Sequence, residues 1–351
     1  MAAECVALTW WHRIEGGWYR LPGAACQLHC AYCAAGISRM PDKIGWFRRR
    51  KKRPSYSRSE RAAIVREVGL ILDATPPADP VHLTADDLLA FNGFIDVMEE
   101  FKRRGRHMDL ITPGLKLASR RFVRKLSNYD LRLTVTYLAH SKAVYRSLTQ
   151  NRRARALVVR GLWNLKRSGK PFLVNTVITG DGCSELAETA RFLFEEIDVA
   201  HFTAQMVYLE QGLIDMRGHN RRRNIAPPGW EPNGADLFPA FDELDRQLAL
   251  VEALCAKLGR RVAVVDVPLC QLRPELIRSR HFEYSFTHHP EFDTDSPTAY
   301  NRSPDCAGCS LDGRCCYISA AYLQKYPNTR VDAAKVSSNW RPATAGSHAL
   351  K

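Results

Sequence analysis

The chain lacks an apolar run long enough to cross a lipid bilayer, since a spanning helix needs about 20 mostly apolar residues. Residues 1–17 also lack the basic start, apolar core and small-residue cleavage site of a secretory signal. There is no internal repeat and no low-complexity segment, which excludes a solenoid and a long disordered tract. We therefore expect a globular protein located in the cytoplasm.

Acidic residues are also scarce: 37 Asp and Glu stand against 51 Lys and Arg, giving a formal net charge of +14. Such an excess favours anionic partners, including nucleic acid, acidic peptides and phosphorylated molecules. Two runs concentrate part of this charge, residues 48–53 (RRRKKR) and 221–223 (RRR). Each run is either a solvated loop or an anion-binding rim. Aromatic residues beside the first run are also typical of a nucleic-acid surface.

The 351 residues suffice for one large α/β domain with a small appendage. Helical and strand patterns alternate from about residue 57 to 267, and Ser57 with Glu60 forms a capping box before the first helix. Strands are predicted at 81–84, 108–112, 131–138, 172–179, 201–209 and 261–268, with a long helix at about 235–258. Helices between strands imply a parallel sheet, so we expect an α/β fold of the partial TIM-like barrel type, with its chemistry at the carboxyl ends of the strands.

Three of the eleven cysteines stand close together near the N-terminus. Cys26, Cys30 and Cys33 follow the segment WYRLP, the expected end of the first strand. Three thiolates on a short loop can hold three corners of an iron–sulfur cube and leave the fourth iron open to a small molecule. Zinc is the alternative, but a structural zinc ion takes four ligands. The nearby candidate for the fourth ligand is His29, which is poorly placed because it lies within the cysteine spacing.

This cluster resembles the signature of the radical SAM enzymes, Cys-x3-Cys-x2-Cys with an aromatic residue before the last cysteine. Cys26, Cys30, Tyr32 and Cys33 match it. The resemblance implies that the cysteines ligate a [4Fe–4S] cluster, that S-adenosylmethionine (SAM) chelates the open iron, and that Tyr32 lines the adenine side. It implies reductive cleavage of SAM to a 5′-deoxyadenosyl radical that abstracts hydrogen from a substrate. An electron donor such as flavodoxin or ferredoxin is implied as a partner.

The resemblance also implies further contacts to SAM. The second strand of these enzymes often ends in Gly-Gly-Glu, and this chain has Ala85, Asp86 and Asp87 there, keeping the acid and losing the glycines. Asp87 aligns with the glutamate that binds the methionine amine, although Asp86 can also serve, and both suit the N-cap of the following helix. Thr136 and Asn175, on the fourth and fifth strands, are either contacts to the SAM carboxylate or ribose, or internally satisfied strand residues.

A second set of cysteines lies in the C-terminal third, where regular patterns fade. Four thiolates there can saturate a [4Fe–4S] cube or hold zinc; they are Cys270, Cys306, Cys309 and Cys315. The last three match the start of the SPASM motif of many radical SAM enzymes, Cys-x2-Cys-x5-Cys-x3-Cys, but Ser319 stands at its fourth position. The resemblance implies a shortened SPASM- or twitch-like extension with one auxiliary cluster. Cys316 is a spare thiol that can replace Cys315 or contact substrate.

Together these features predict a partial (β/α)6 barrel at 1–234, an auxiliary-cluster domain at 235–330 and a tail at 331–351. A fully ligated second cluster can accept an electron from a substrate radical. We therefore expect an oxidoreductase that modifies a ribosomally made peptide or a small metabolite, with an anionic substrate favoured by the basic charge. The alternative is a zinc- or cluster-stabilised nucleic-acid-binding or RNA-modifying protein. The sequence does not identify the substrate.

Overall fold

The structure is a computed structural model. It describes residues 18–20, 28, 30, 56–77, 81–84, 87–207, 236–286, 300–301, 304–312, 315–332 and 334–336. Of the predicted site residues, Cys26, Tyr32, Cys33, Ala85 and Asp86 lie outside these ranges, as do both basic runs.

An eight-stranded sheet forms the centre of the fold, and its strands lie side by side in chain order. Every neighbouring pair is parallel. The strands are β1 (Trp18–Arg20), β2 (Val81–Thr84), β3 (Met108–Thr112), β4 (Leu131–Thr136), β5 (Phe172–Ile178), β6 (His201–Met206), β7 (Arg261–Val265) and β8 (Phe282–Ser285). Within the described ranges no pairing joins β1 to β8, so the sheet is open.

This architecture, with its open parallel sheet, confirms the predicted α/β fold of the partial TIM-like barrel type. β1 to β6 are the six strands of the predicted partial barrel, and β7 and β8 extend the sheet beyond residue 234. The sequence pattern identified β7 as a strand and missed β8 (FEYS), of which only Phe282 is buried. A separate antiparallel pair, β9 (Tyr300–Asn301) with β10 (Ile318–Ser319), lies in the cysteine-rich segment.

Helices connect most of the strands. They are α1 (Arg58–Ala74), α2 (Phe94–Arg103), α3 (Arg120–Leu126), α4 (Lys142–Thr149), α5 (Ala154–Ser168), α6 (Gly180–Cys183), α7 (Leu186–Arg191), α8 (Phe241–Leu258), α9 (Pro274–Ile277) and α10 (Ala320–Lys325). A π-helical turn, Phe192–Ile197, continues α7, and a 3₁₀ turn, Leu115–Ala118, precedes α3. None of the described helices is long and apolar enough to cross a membrane.

Local sequence signals explain where these helices begin. The capping box predicted for α1 is present, since the Glu60 amide donates to the Ser57 hydroxyl and the Ser57 amide to the Glu60 carboxylate. The predicted long helix α8 begins at Phe241 rather than near 235, because Ala240, directly after Pro239, is extended.

The strands β4 to β6 present two different faces. Residues on one face, such as Leu133, Val174 and Phe202, are fully buried in the hydrophobic core. Residues on the other face alternate with them and are half-buried, as the period of two in a strand requires. The half-buried face is therefore the one that can receive a ligand.

An ion pair fastens β3 to β4 on this sheet. Asp109 and Arg132 are register partners, and Arg132 donates to both oxygens of the carboxylate at 2.7 and 2.6 Å. His107 lies 3.0 Å from the same carboxylate. The Asp109 side chain is largely shielded from solvent, where a bidentate charged pair contributes more than it does in water.

Candidate functional site

Cys30 is the described member of the first cysteine motif, and it packs half-buried against the core. The pKa of Tyr145 is raised well above its usual range, chiefly because the residue is buried and next because the Tyr137 and Cys30 side chains are nearby. The Tyr145 hydroxyl in turn lies 3.5 Å from the carbonyl oxygen of Thr136, the last residue of β4. Cys30 therefore lies close to the carboxyl edge of the sheet, where parallel α/β folds carry their chemistry.

Asp87 lies just beyond the carboxyl end of β2 and is only 1% exposed. Its Oδ1 accepts a hydrogen bond from the Thr112 hydroxyl at 3.0 Å, while its Oδ2 is buried without a partner. Desolvation raises the pKa of Asp87 to about 6, against the opposing effects of Thr112, the Leu89 and Ala90 amides and Lys116. A carboxylate with one unsatisfied oxygen in such a place can accept a hydrogen bond from a cationic donor.

The predicted capping role of Asp87 is not what its geometry shows. The residue precedes a 3₁₀ turn, Leu88–Ala90, but its side chain makes no capping hydrogen bond. The backbone amides of Leu89 and Ala90 favour the charged form of Asp87, so they lie near its carboxylate. Neither amide has the geometry of a hydrogen bond to it. The Thr112 hydroxyl, on the neighbouring β3, is instead its hydrogen-bond donor.

Three polar residues form a row across the half-buried face. Thr136 of β4 is the register partner of Asn175 of β5, which in turn pairs with Thr203 of β6. Asn175 Oδ1 is buried and has no hydrogen-bond partner, a state that costs about 1–3 kcal/mol. Thr203 was not predicted, because register between strands decides which polar residues share a row.

The structure brings Gln205 and Asp266 together at the carboxyl edge of β6 and β7. Gln205 Nε2 donates to Asp266 Oδ2 at 3.0 Å. Asp266 is buried and has a φ of 57°, in the left-handed region that costs non-glycine residues about 1–3 kcal/mol. An acidic residue directly after the apolar run VAVV was the sequence signal for this position.

The four predicted auxiliary ligands line one pocket of the C-terminal segment. They are Cys270, Cys306, Cys309 and Cys315. The other walls are mainly apolar and include Leu269, Leu311, Val331 and Val336. Cys316 is buried beside Cys315 and does not line the pocket. The structure therefore gathers thiols that lie up to 45 residues apart in the chain, from Cys270 to Cys315.

N–H groups point at the sulfurs of this pocket. The Gln271 side-chain amide donates to Cys270 at 3.3 Å, and the backbone amides of Leu311 and Tyr317 donate to Cys309 at 3.5 Å and to Cys315 at 3.3 Å. Hydrogen bonds of this kind stabilise a thiolate. Burial raises the pKa of the Cys270 thiol to about 11, so in this apolar pocket a bound metal would be needed to hold it deprotonated.

No protein-family model matches the chain, and the search of curated proteins finds no match. Solved structures do match. SuiB of Streptococcus suis bound to precursor peptide SuiA aligns with 87% of this chain and 72% of its own, at 12% identity and a TM-score of 0.54. SuiB bound to S-adenosylmethionine aligns with 87% and 73%, at 11% identity and a TM-score of 0.50.

At this identity the likeness is one of fold. The chain shares a fold with SuiB, and its open parallel sheet agrees with the fold that the resemblance in the first cysteine motif implied.

Proposed function

We propose that this chain is a radical SAM enzyme. The observation that carries the proposal is the position of Cys30, a member of the Cys-x3-Cys-x2-Cys motif, beside the carboxyl edge of the open parallel sheet. The fold likeness to SuiB bound to SAM supports it. When bound, a reduced [4Fe–4S] cluster with SAM supplies a 5′-deoxyadenosyl radical that abstracts hydrogen from a substrate.

The residues at the sheet edge fit SAM. Cys26, Cys30 and Cys33 would hold the cluster. Asp87 Oδ2 and Asn175 Oδ1 are buried acceptors without partners, at two of the positions that the resemblance assigns to SAM. SAM offers donors in its amine, its ribose hydroxyls and its adenine amino group. The remaining predicted contacts, which stay predictions, are Tyr32, Ala85, Asp86 and Thr136.

The cysteine pocket fits a second [4Fe–4S] cluster better than zinc. A zinc ion holds its thiolates about 2.3 Å from one centre, whereas a cube binds each thiolate through a different iron and spaces them farther apart. Four described cysteines share the pocket, and the resemblance of the first cysteine motif to an iron–sulfur signature favours a cluster over zinc here. Because Cys315 lines the pocket and Cys316 does not, we assign Cys315 as the fourth ligand.

The reaction we propose is the oxidation of a ribosomally made peptide or a small metabolite in a reducing compartment such as the cytoplasm. A saturated second cluster suits an electron acceptor, and flavodoxin or ferredoxin suits the reductant. SuiB, whose fold this chain shares, binds a precursor peptide. The alternative, a metal-stabilised nucleic-acid-binding protein, has the net charge of +14 in its favour.

Anaerobic purification followed by metal and product analysis tests the proposal. We expect brown protein with about eight irons per chain that cleaves SAM to 5′-deoxyadenosine once reduced. Cys30→Ala should abolish this cleavage. Cys309→Ala should retain part of it but lose the oxidised product, because only the second cluster is damaged.

Cys255→Ala, which removes a thiol that is buried in α8 and does not line the cysteine pocket, is the matched control and should keep both activities. Colourless protein with stoichiometric zinc would refute radical chemistry. Full product from Cys309→Ala would refute only the redox role of the second cluster.

A further inference from the structure

The positive charge of the chain is concentrated in one segment. Residues 115–170 contain fifteen of the 51 Lys and Arg but only one of the 37 acids, Asp130. This segment therefore carries +14, the net charge of the whole chain, and the remainder is neutral overall. It runs from the 3₁₀ turn before α3 to the end of α5, and it includes neither of the basic runs at 48–53 and 221–223.

Within this segment, α5 and the beginning of α3 form an open groove of about 450 Å³. Its apolar lining consists of Ala118, Ala156, Val159 and Trp163. Arg155 and Arg167 mark its two ends along α5, about 18 Å apart at 1.5 Å per helical residue. That length accommodates about five residues of an extended chain.

Four arginines surround the apolar lining: Arg120, Arg155, Arg160 and Arg167. None of them forms an ion pair with a carboxylate of the described residues. Arg155 Nε is buried without a hydrogen-bond partner. Other arginines of the described structure do form ion pairs, such as Arg132 with Asp109 and Arg273 with Asp245. The groove therefore presents unneutralised guanidinium groups.

Asn164 supplies a further unsatisfied group at the floor of the groove. It is 4% exposed, and its Nδ2 donates to the Leu117 carbonyl at 2.9 Å. That bond fixes the orientation of the amide, so the acceptor Oδ1 is the atom left buried without a partner. A bound group that carries an N–H donor would satisfy it.

We propose that this groove binds an acidic polypeptide segment that also carries apolar side chains. Carboxylates of the segment would pair with the arginine guanidinium groups, and its apolar side chains would pack on the apolar lining of the groove. A backbone N–H of the segment would donate to Asn164. Arg155 also lies beside Tyr137, directly after β4, so a segment bound here begins at the carboxyl edge of the sheet. The proposal does not depend on radical chemistry at that edge.

Nucleic acid fits the groove less well. Single strands bind by stacking bases on open aromatic rings, and Trp163 is the only aromatic in the lining. Its ring is already paired with Lys166 Nζ, 5.2 Å from the centroid, and with the Arg167 guanidinium at 5.6 Å. A base would have to compete with these two cations.

Fluorescence anisotropy on anaerobically purified full-length protein tests the proposal. The probe is a short labelled peptide that alternates Glu and Leu, and oligouridylate of equal charge is the comparison. Arg160 and Arg167 are exposed, so the double variant Arg160→Gln/Arg167→Gln should fold normally. We expect it to weaken peptide binding at least about threefold, the loss for two exposed ion pairs.

Arg66→Gln on α1 is the matched control, since Arg66 is exposed and outside the charged segment, and it should bind as the wild type does. Peptide binding that is absent, or unaffected by the double variant, overturns the proposal. Tighter binding of oligouridylate that the double variant weakens would show a nucleic-acid groove instead. Crosslinks from the groove to another segment of this chain, with no peptide bound, would show an internal occupant and also overturn it. Peptide binding by protein that cleaves no SAM would refute only the proposed function.

Discussion

Asp87 makes a pH-dependent contribution to stability. Its folded pKa of about 6 lies above the ordinary value near 4, so the native state holds its proton more tightly than the unfolded chain does. The resulting stabilisation is complete below about pH 4 and is lost as the pH rises to about 6. We therefore expect Asp87→Asn, which keeps an acceptor for Thr112, to be about 2–3 kcal/mol more stable than the wild type at pH 7.5.

Urea unfolding of both proteins between pH 4 and 8 measures this difference. The gap should widen from pH 4 to 6 and stay constant above it. Asp96→Asn, an exposed acid on α2, is the control and should show no comparable trend. A gap that does not change with pH would contradict the buried, proton-retaining environment of Asp87.

At the scale of single residues, the sequence does not determine which polar atoms of the site lack a hydrogen-bond partner. Asp87 and Asn175 were located by their resemblance to positions in a family. Whether their oxygens have partners depends on neighbours from other strands, such as Thr112 opposite Asp87. Thr203 and the left-handed Asp266 escaped prediction for the same reason, because strand register and backbone torsion belong to the folded chain.

At the scale of elements, α5 approaches the 3₁₀ turn before α3 too closely for a side chain at Gly161. A Cβ there would lie 3.1 Å from the Gly114 carbonyl oxygen and 2.9 Å from Leu117 Cβ. We expect Gly161→Ala to destabilise the protein by about 1–3 kcal/mol, although alanine is the better helix former. Thermal or urea unfolding measures the loss.

Gly69→Ala on α1 is the paired control. There the new Cβ would meet only the ends of the flexible Glu100 and Arg104 side chains, which can move aside. Equal stability changes in the two variants would contradict the rigid backbone contact inferred at Gly161.

Elements with a clear apolar pattern were predictable, and weakly patterned ones were not. The alternation in β4 and the capping box of α1 identified both elements within a few residues of their observed bounds. β8 buries only Phe282 and so carries a weak apolar pattern, and the start of α8 was displaced by the extended residue after Pro239. The groove was not predictable at all, since α3 and α5 are separated by a strand and a helix.

At the scale of the whole molecule, the cysteine-rich segment has little regular structure of its own. The described residues of 300–336 contain one pair of two-residue strands, a 3₁₀ turn at Pro304–Cys306, a helix of six residues and a helical turn at 334–336. If the four thiols hold a cluster, part of the folding free energy of this segment comes from metal binding. We expect removal of iron to increase proteolysis within 300–336 while the helical circular dichroism changes little.

Mass spectrometry of limited digests, with and without chelation under reducing conditions, measures this effect. Cys255→Ala should respond to chelation as the wild type does, because its thiol lies outside the pocket. Equal protection of the segment with and without iron would contradict a structural contribution from the cluster.

The order of the strands has a consequence for how the protein is made. Each strand pairs with the one synthesised just before it, from β1 to β8. The sheet can therefore grow strand by strand as the chain leaves the ribosome, without waiting for a distant partner. Because β8 ends before the segment that carries Cys306, Cys309 and Cys315, the cysteine pocket is completed only after the whole eight-stranded sheet has been translated.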